Sequence, residues 1–361
     1  MKFQENTKPV QDLSLSADGQ HLASGSQSGS VFVYDVMTRQ RTFSAELSES
    51  VGAVAFVSPF LVAAGAEDRV AVVDLRCSAA AKEAVTFTCA DDVNAIAFNG
   101  AFGAAVDDSG AATILDWRQT SKTKVFKGWT AHDNIAMAAA FTRADRPWEL
   151  WTGGFDCCVR RWDFSNGACS EEWNLSVSAN LDLESATQSI NPCFVEALDI
   201  ASNGRRVVAG LGNGSIAFFD REKPAVPTSS TSSSSSKKKK KKTVPHSLSI
   251  FPSCHSWSCT ALQFADNPIS NTKDAFVVSG GLDGKLALIQ CLPDSDSDVD
   301  ASSFATSAFV KSYTNVYRKV DTLLCLPPTA DATSLRVLVG GCALDKRKQG
   351  DIDVWEIPLD L

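Results

Sequence analysis

The sequence predicts an all-β protein that folds as a seven-bladed β-propeller. Three observations carry the prediction. Seven related segments follow one another along the chain, each consists of short strand-like runs, and the two ends of the chain complement each other. A repeat of roughly 40–45 residues that holds several short strands is typical of a propeller blade.

The seven segments share one internal order. An apolar alternating run is followed by a loop and by an Ala/Val-rich run that ends in Gly or Ala. A tight turn with Asp, Asn or Gly comes next, and then another apolar run that often closes on Asp. Short runs separated by such turns predict strands. The copies span residues 13–35, 54–74, 96–116, 139–163, 198–220, 262–290 and 323–355.

The ends of the chain predict how the ring closes. The last copy stops at VWEIPL, after its third strand, whereas MKFQENTK precedes the first strand of the first copy. We therefore expect an N-terminal strand to complete the last blade. Closure of this kind removes two open sheet edges, which a propeller has to protect. The expected unit is a single propeller over residues 1–361.

Composition narrows the classes of function. Hydrophobic residues make up 44% of the chain, which is enough for a large core, and the net charge of −8 gives no general attraction to nucleic acid or an anionic membrane. No signal-peptide pattern and no membrane-spanning apolar run is found. The eleven cysteines have no ligand-like or disulfide-like spacing, which indicates reduced thiols. We expect an intracellular protein, cytoplasmic or nuclear or both.

Two low-complexity segments interrupt the repeats. Residues 227–245, with a lysine run at 237–242, are predicted to be a disordered Ser/Lys-rich insertion. The insertion either only solubilises the protein or serves nuclear import or nucleic-acid contact. Residues 293–303 are predicted to be an acidic loop, in which Ser295 and Ser297 suit acidophilic kinases.

The segment RRWD at residues 160–163 contains a Trp-Asp dipeptide, and the other copies keep part of it. With the seven copies, this resembles the WD40 repeat family across nearly the whole chain. The resemblance implies a protein-interaction scaffold with no cofactor, no metal, no small-molecule substrate and no catalytic residues. None of the four histidines lies in a recognisable nucleophile–His–Asp motif, and no Gly-rich phosphate loop occurs.

The clearest candidate binding motif is an Asp-x-Arg that recurs one blade apart. Asp74 and Arg76 are followed 42 residues later by Asp116 and Arg118, at the ends of the third strands of neighbouring blades. Both arginines should lie side by side on one face. They are either solvated strand-end arginines or a partner-binding pair, because arginine is enriched at interface hot spots.

The spacing resembles the WD-x-R box of propellers that serve as substrate receptors for cullin-4 ubiquitin ligases. In that family the arginine contacts the ligase adaptor. The match is partial, because Val73 and Leu115 stand where the box has tryptophan. The resemblance implies adaptor binding through Asp74, Arg76, Asp116 and Arg118.

The opposite face is predicted to be acidic. Its loops carry carboxylates and aromatic rings: Asp68, Asp92, Asp108, Trp129, Asp133, Phe155, Asp156 and Trp257. These residues form either an ordinary solvated rim of turn residues or a site for a basic peptide.

Several segments resemble the family of WD repeat-containing protein 53 more closely than a generic propeller. They are residues 90–98, 107–116, 132–156, 191–219 and 277–289. That family also carries an apolar-Asp-x-Arg at the position of residues 73–76, and it is a candidate partner of the cullin-4 adaptor. The favoured function is therefore a substrate receptor or scaffold for a cullin-4 ligase.

Two other functions stay open. One is a peptide reader or assembly scaffold unrelated to ubiquitin, which would use the acidic face alone. The other is an esterase, because TGGFDCCVRRWD at residues 152–163 resembles the propeller that hydrolyses the methyl ester of diphthine. There Cys157, Cys158 and His132 would be the candidate thiol site, against a reading as buried strand residues.

Overall fold

The structure, a computed structural model, describes residues 2–3, 8–77, 83–116, 125–142, 146, 148–178, 191–221, 246–252, 254–270, 272–291, 310–314, 317–329, 332–343 and 350–359. These residues form seven four-stranded antiparallel sheets, the blades of a β-propeller. The predicted fold class is confirmed. Residues 227–245 and 293–303 lie outside the described residues, so the predictions made for them stay predictions.

The first four blades use consecutive strands, counted from the central channel outwards. Blade 1 contains β2 (Val10–Leu15), β3 (His21–Ser26), β4 (Ser30–Asp35) and β5 (Arg41–Glu46). Blade 2 contains β6 (Val51–Ser58), β7 (Leu61–Ala66), β8 (Arg69–Asp74) and β9 (Glu83–Thr88). Blade 3 contains β10 (Val93–Asn99), β11 (Phe102–Asp107), β12 (Ala111–Asp116) and β13 (Val125–Thr130). Blade 4 contains β14 (Ala136–Phe141), β15 (Glu149–Gly154), β16 (Cys158–Asp163) and β17 (Ala168–Asn174), after which one helical turn, α1 (Leu175–Ser178), begins the next loop.

The remaining blades follow the same order until the ring closes. Blade 5 contains β18 (Val195–Ile200), β19 (Arg206–Leu211), β20 (Ile216–Arg221) and β21 (His246–Phe251). Blade 6 contains β22 (Cys259–Asn267), β23 (Thr272–Gly281), β24 (Lys285–Gln290) and β25 (Val310–Thr314). Blade 7 contains β26 (Tyr317–Cys325), β27 (Ser334–Ala343), β28 (Ile352–Pro358) and the N-terminal β1 (Lys2–Phe3).

The N-terminal strand closes the ring as the sequence predicted. Phe3 pairs with Ile352 of β28 in antiparallel register. Its ring is buried and lies edge-to-face against Tyr34 of blade 1 at a centroid distance of 5.4 Å. One short strand is therefore held both by the sheet of blade 7 and by the side chains of blade 1.

Small residues allow the blades to approach each other. In six blades a glycine near the end of the second strand faces the first packed residue of the next blade. A Cβ there would collide with that residue in five blades and would lie 3.1 Å from it in blade 7. The pairs are Gly25–Val51, Gly65–Val93, Gly153–Val195, Gly210–Cys259, Gly280–Val320 and Gly340–Val10. At the interface between blades 3 and 4 the larger residue and the smaller residue exchange places. Val106 stands at the glycine position, and the small Ala136 is the first packed residue of blade 4. One member of each pair is therefore a glycine or an alanine, which lets the two blades pack closely.

The first strand of every blade carries a bulge near its start. A bulge bends the strand locally and changes the direction in which the side chain of its extra residue points. The residues within the seven bulges line the entrance of the central channel: Gln11, Gly52, Asn94, Met137, Glu196, Thr260 and Asp321. The channel has a volume of about 1040 Å³.

The propeller has two distinct faces. We call the face with the turns between second and third strands, such as 67–68 and 155–157, the top face. The bottom face carries the turns between first and second strands and the ends of the third strands, such as 59–60 and 74–77. Within the described residues, no helix has the length and apolar character needed to cross a membrane.

Candidate functional site

The end of the third strand of blade 2 presents an arginine on the bottom face. Arg76 donates from Nε to Asp74 Oδ1 at 2.9 Å and from Nη2 to Asp74 Oδ2 at 2.6 Å, and its backbone amide also donates to Oδ1. These hydrogen bonds lower the pKa of Asp74 to about 2. The Arg76 side chain is nevertheless 63% exposed. The pair therefore fixes the guanidinium without burying it.

An aromatic ring completes this arrangement. The guanidinium carbon of Arg76 lies 5.5 Å from the centroid of Phe60, within the range of a cation–π contact. Phe60 itself is 54% exposed. Its carbonyl accepts a hydrogen bond of 2.9 Å from the amide of Leu75, which ties the turn before β7 to the end of β8.

The equivalent position of blade 3 is described only in part. Asp116 ends β12 and pairs with Phe102, just as Asp74 ends β8 and pairs with Leu61. Asp116 is buried. The structure thus brings both aspartates to the same place in adjacent blades. Arg118 lies outside the described residues, so its position beside Arg76 stays a prediction.

Carboxylates do gather on the top face of blades 2 and 3. The Glu49 carboxylate raises the pKa of Glu67, and burial and Asp92 add to the effect. Asp92 and Asp108 are exposed. Asp108 accepts a hydrogen bond of 2.8 Å from the Asn94 amide at the channel entrance. The predicted acidic character of this face therefore has a geometric basis.

Two further top-face aspartates differ in their surroundings. Asp68 is half exposed and faces Arg69 at 3.7 Å, a separation that contributes little in solvent. Asp133 is exposed, and its backbone amide donates to Asp156. Both carboxylates point to solvent-accessible parts of the rim.

The three top-face aromatic residues are placed differently from one another. Trp257 is 52% exposed on the loop that enters blade 6. Phe155 is partly buried and stacks on Phe194 with 4.7 Å between centroids. Trp129 packs against Trp162, and its Nε1 is buried without a partner among the described residues. Trp257 is the most accessible of the three.

Asp156 belongs to a buried hydrogen-bond chain. It contacts Nδ1 of His132 at 2.9 Å, Nε2 of that histidine contacts Thr152 Oγ1 at 2.8 Å, and the Trp162 indole donates to the same hydroxyl at 2.9 Å. Arg160 donates to the other Asp156 oxygen at 2.6 Å. Burial alone would raise the pKa of Asp156, but the hydrogen bonds from His132 and Arg160 outweigh it and hold the pKa well below its usual range.

Blade 6 repeats most of this chain. His255 contacts Asp283 at 3.1 Å and Ser279 at 2.9 Å. Burial opposes ionisation of Asp283, yet the contact with His255 lowers its pKa to about 2. Ile289 stands where blade 4 has Trp162. Neither chain was predicted from the sequence, although its signals are present there: a histidine four residues before a blade and a Ser or Thr four residues before a turn aspartate.

The order of contacts in blade 4, from a hydroxyl to a histidine to an aspartate, matches that of a nucleophile–His–Asp triad. The hydroxyl and the histidine are buried, however, which argues against a catalytic role. Both Thr152 and His132 are buried, so a substrate cannot reach the hydroxyl. Cys157 and Cys158 are buried as well, and burial raises the pKa of Cys158 to about 11. This favours the structural reading of the segment over the esterase reading. No group of three or more metal-ligating side chains occurs in the described part of the chain.

The central channel was not anticipated as a site. Its walls carry Asp12, Glu196, Asp199 and Asp321. Each carboxylate is engaged: Asp12 and Asp199 accept backbone hydrogen bonds from the next blade, Glu196 is hydrogen-bonded by a serine, and Asp321 pairs with Lys319 at 2.8 Å. Asp12, Glu196 and Asp199 therefore connect neighbouring blades, whereas Asp321 pairs within its own strand.

Comparison with known proteins agrees with this architecture. The family model for the WD domain, G-beta repeat, matches residues 1–35. This match and the seven-bladed fold are features of WD40-repeat β-propellers, which are in general non-catalytic scaffolds for protein interactions. The chain is similar to the WD repeat-containing protein 53 homolog of Dictyostelium discoideum, with 26% identity over 140 residues. That match covers 35% of this chain and 37% of the relative.

Proposed function

We propose that this protein is a substrate receptor of a cullin-4 RING ubiquitin ligase. In this proposal the bottom face holds the ligase adaptor and the top face recruits a client protein. The chain itself supplies positioning, because bringing a client close to a reactive partner replaces a bimolecular encounter. The protein would then work in the cytoplasm or nucleus, where the ligase acts.

The observation that carries the proposal is the presentation of Arg76. An isolated surface arginine samples many rotamers, and ordering them on binding costs affinity. Here Asp74 holds two guanidinium nitrogens and Phe60 lies under the group, so it is ordered before a partner arrives. Asp116 in the same place of blade 3 supports a second such position for Arg118.

The chemistry of the top face supports a basic client. Glu67, Asp68, Asp92 and Asp108 form an acidic rim over blades 2 and 3, and Trp257 offers an exposed aromatic ring on the loop that enters blade 6. Complementary charge steers association and selects the partner. The same rim supports the alternative function, a peptide reader that works without the ligase, because that function needs only the top face.

Affinity purification from cells tests the proposal. The wild type, an Arg76→Ala/Arg118→Ala variant and an Arg69→Ala/Lys273→Ala control, which removes the same charge elsewhere, are compared after circular dichroism has shown that all are folded. We expect the cullin-4 adaptor with the wild type and the control only. Absence of the adaptor from every sample, or equal recovery with all three, contradicts the proposal.

A top-face variant separates the two functions. Asp92→Ala/Trp257→Ala should lose a client but keep the adaptor. If this variant loses every partner while the arginine variant loses none, the protein is a top-face reader unrelated to ubiquitin.

A further inference from the structure

Large hydrophobic side chains are exposed at few places in the described residues, and most of these places are on the bottom face. Met37 is 80% exposed, Phe60 54% and Trp148 42%. They belong to blades 1, 2 and 4. Exposed apolar groups that share one face mark an interaction surface more often than scattered ones do.

The three residues stand at positions that recur from blade to blade and that lie on the bottom face. Phe60 and Trp148 each precede the second strand of a blade, and each carbonyl accepts a hydrogen bond from the residue after the strand-ending aspartate, Leu75 and Phe164 respectively. They are therefore equivalent, and they lie on either side of blade 3. Met37 follows Asp35 by two residues, as Arg76 follows Asp74, so it takes the place of the arginine in blade 1.

The aromatic anchors are held in place before binding. The Trp148 ring packs on Phe102 at 5.3 Å and on Phe164 at 5.2 Å between centroids. Phe60 is covered on one side by the Arg76 guanidinium. Rigid aromatic side chains lose little conformational entropy when a partner covers them, which is why they dominate interface energetics.

The charge of this surface defines the partner's chemistry. Arg76 uses Nε and Nη2 for Asp74, while its Nη1 has no partner among the described residues. A carboxylate of the partner can therefore approach the guanidinium from the outside and form a charge-assisted hydrogen bond.

We propose that Met37, Phe60, Arg76 and Trp148, here called the bottom patch, form one docking surface for a folded protein that places an acidic side chain on Arg76 and apolar side chains on Phe60 and Trp148. This inference rests on the proposed function and names its contacts: the occupant is the cullin-4 adaptor. It extends the contact beyond the Asp-x-Arg positions to the apolar residues on either side of blade 3.

Calorimetric titration of the purified full-length protein with purified adaptor tests the patch. We expect Phe60→Ala and Trp148→Ala each to weaken the Kd by about tenfold or more, as for the anchors of other interfaces. Ile269→Ala is the matched control, because it removes an exposed hydrophobic side chain from the bottom face of blade 6, outside the patch. It should change the Kd less than about twofold.

Hydrogen exchange on the wild-type complex gives a second readout that needs no variant. Peptides covering residues 36–40, 59–61, 75–77 and 148–150 should exchange more slowly with adaptor bound. The top turns 67–68 and 155–157 should not change. This readout also covers the case in which Trp148→Ala fails to fold.

The outcomes separate the inference from the proposed function. If Arg76→Ala abolishes binding while Phe60→Ala and Trp148→Ala bind as the wild type does, the patch is wrong and the receptor function stands. If the wild type does not bind the adaptor, the receptor function fails and the patch loses its occupant. Loss of binding in Phe60→Ala and Trp148→Ala with protection confined to the bottom turns establishes the patch.

Discussion

The carboxylate of Asp12 in blade 1 accepts a hydrogen bond of 2.8 Å from the backbone amide of Val54 in blade 2. Its other oxygen accepts a hydrogen bond of 3.3 Å from the Thr322 hydroxyl in blade 7. One side chain thus connects three consecutive blades beside the point where the ring closes. Asp199 makes the same contact with the amide of Phe264, so the device recurs between blades 5 and 6.

The first prediction concerns pH. Burial raises the pKa of Asp12 from 3.8 to about 6, although the amides of Val54 and Leu13 oppose it. The folded state therefore holds this proton more tightly than the unfolded state. The contribution to stability is fully present below pH 3.8 and is lost as the pH rises through 6. We expect this group to lower the free energy of unfolding by about 2 kcal/mol between pH 4 and pH 7.

Urea denaturation across that range checks it. Asp12→Asn keeps an acceptor oxygen but cannot ionise, so its stability should depend less on pH than that of the wild type. Asp91→Asn, an exposed control, should behave as the wild type does. Parallel pH profiles for Asp12→Asn and the wild type would contradict the assignment.

The second prediction concerns the buried chain of blade 4. Asp156→Ala leaves His132 and the Arg160 guanidinium without their shared partner, and removing one member of a buried ion pair costs about 3–5 kcal/mol. Asp283→Ala in blade 6 should cost less, because no arginine shares that carboxylate in the described residues. Asp68→Ala, at a half-exposed turn, should stay within about 0.5 kcal/mol. The order of midpoints in chemical denaturation measures this; equal losses for Asp156→Ala and Asp68→Ala would rule it out.

The repeat pattern was sufficient to predict the fold. Turn residues and apolar runs located seven copies, and each copy became the first three strands of a blade. The outer strands were less visible, because β17 (Ala168–Asn174) is mostly exposed and polar and has no strong alternation. Closure by the N-terminus followed from counting strands at the two ends, and the pairing of Phe3 with Ile352 confirms it.

For the candidate sites, the sequence predicted where each residue lies in its blade but not which side chains it contacts. Sequence spacing placed Asp74 and Asp116 at equivalent strand ends, but it gave no sign that Phe60 lies under Arg76, because that contact joins two different turns. The inward position of the Asp156 carboxylate, whose side chain is only 9% exposed, was also not predicted. Its partner His132 lies 24 residues earlier, and only the fold brings the two together. A residue type at a turn does not reveal whether its side chain points outwards or into a blade interface.

Ring closure supplies a third prediction. Phe3 is 1% exposed and packs against Tyr34, so Phe3→Ala should destabilise the protein by about 3 kcal/mol through the lost burial and the cavity left behind. Met37→Ala, which removes an exposed side chain from the neighbouring blade, should have almost no effect. Thermal denaturation of both variants checks this. An unchanged Tm for Phe3→Ala would show that the N-terminal strand does not hold the ring closed.

The fourth prediction concerns the eleven free cysteines. Only Cys77 and Cys169 are exposed. Burial and the nearby Glu172 raise the pKa of Cys169, so its thiolate is scarcer at neutral pH. A thiol-reactive dye should label Cys77 first and Cys169 more slowly, and the five buried thiols should react only after unfolding: Cys157, Cys158, Cys193, Cys259 and Cys291. Cys77→Ser should remove the fast phase. Rapid labelling of any of these five thiols in the native protein would contradict their burial.

The packing rule between blades gives the last prediction. A side chain at Gly65 would collide with Val93 of blade 3, because its Cβ would lie 2.7 Å from a valine methyl carbon. Gly65→Val should therefore destabilise the protein by about 1–3 kcal/mol or more through overpacking. Blade 3 already solves the same problem with Val106 and Ala136. Adding Val93→Ala to Gly65→Val copies that solution and should recover part of the lost stability, although Val93→Ala alone is destabilising. A double-mutant cycle measures the coupling between the two sites. Additive losses would show that the two positions do not share one packing volume.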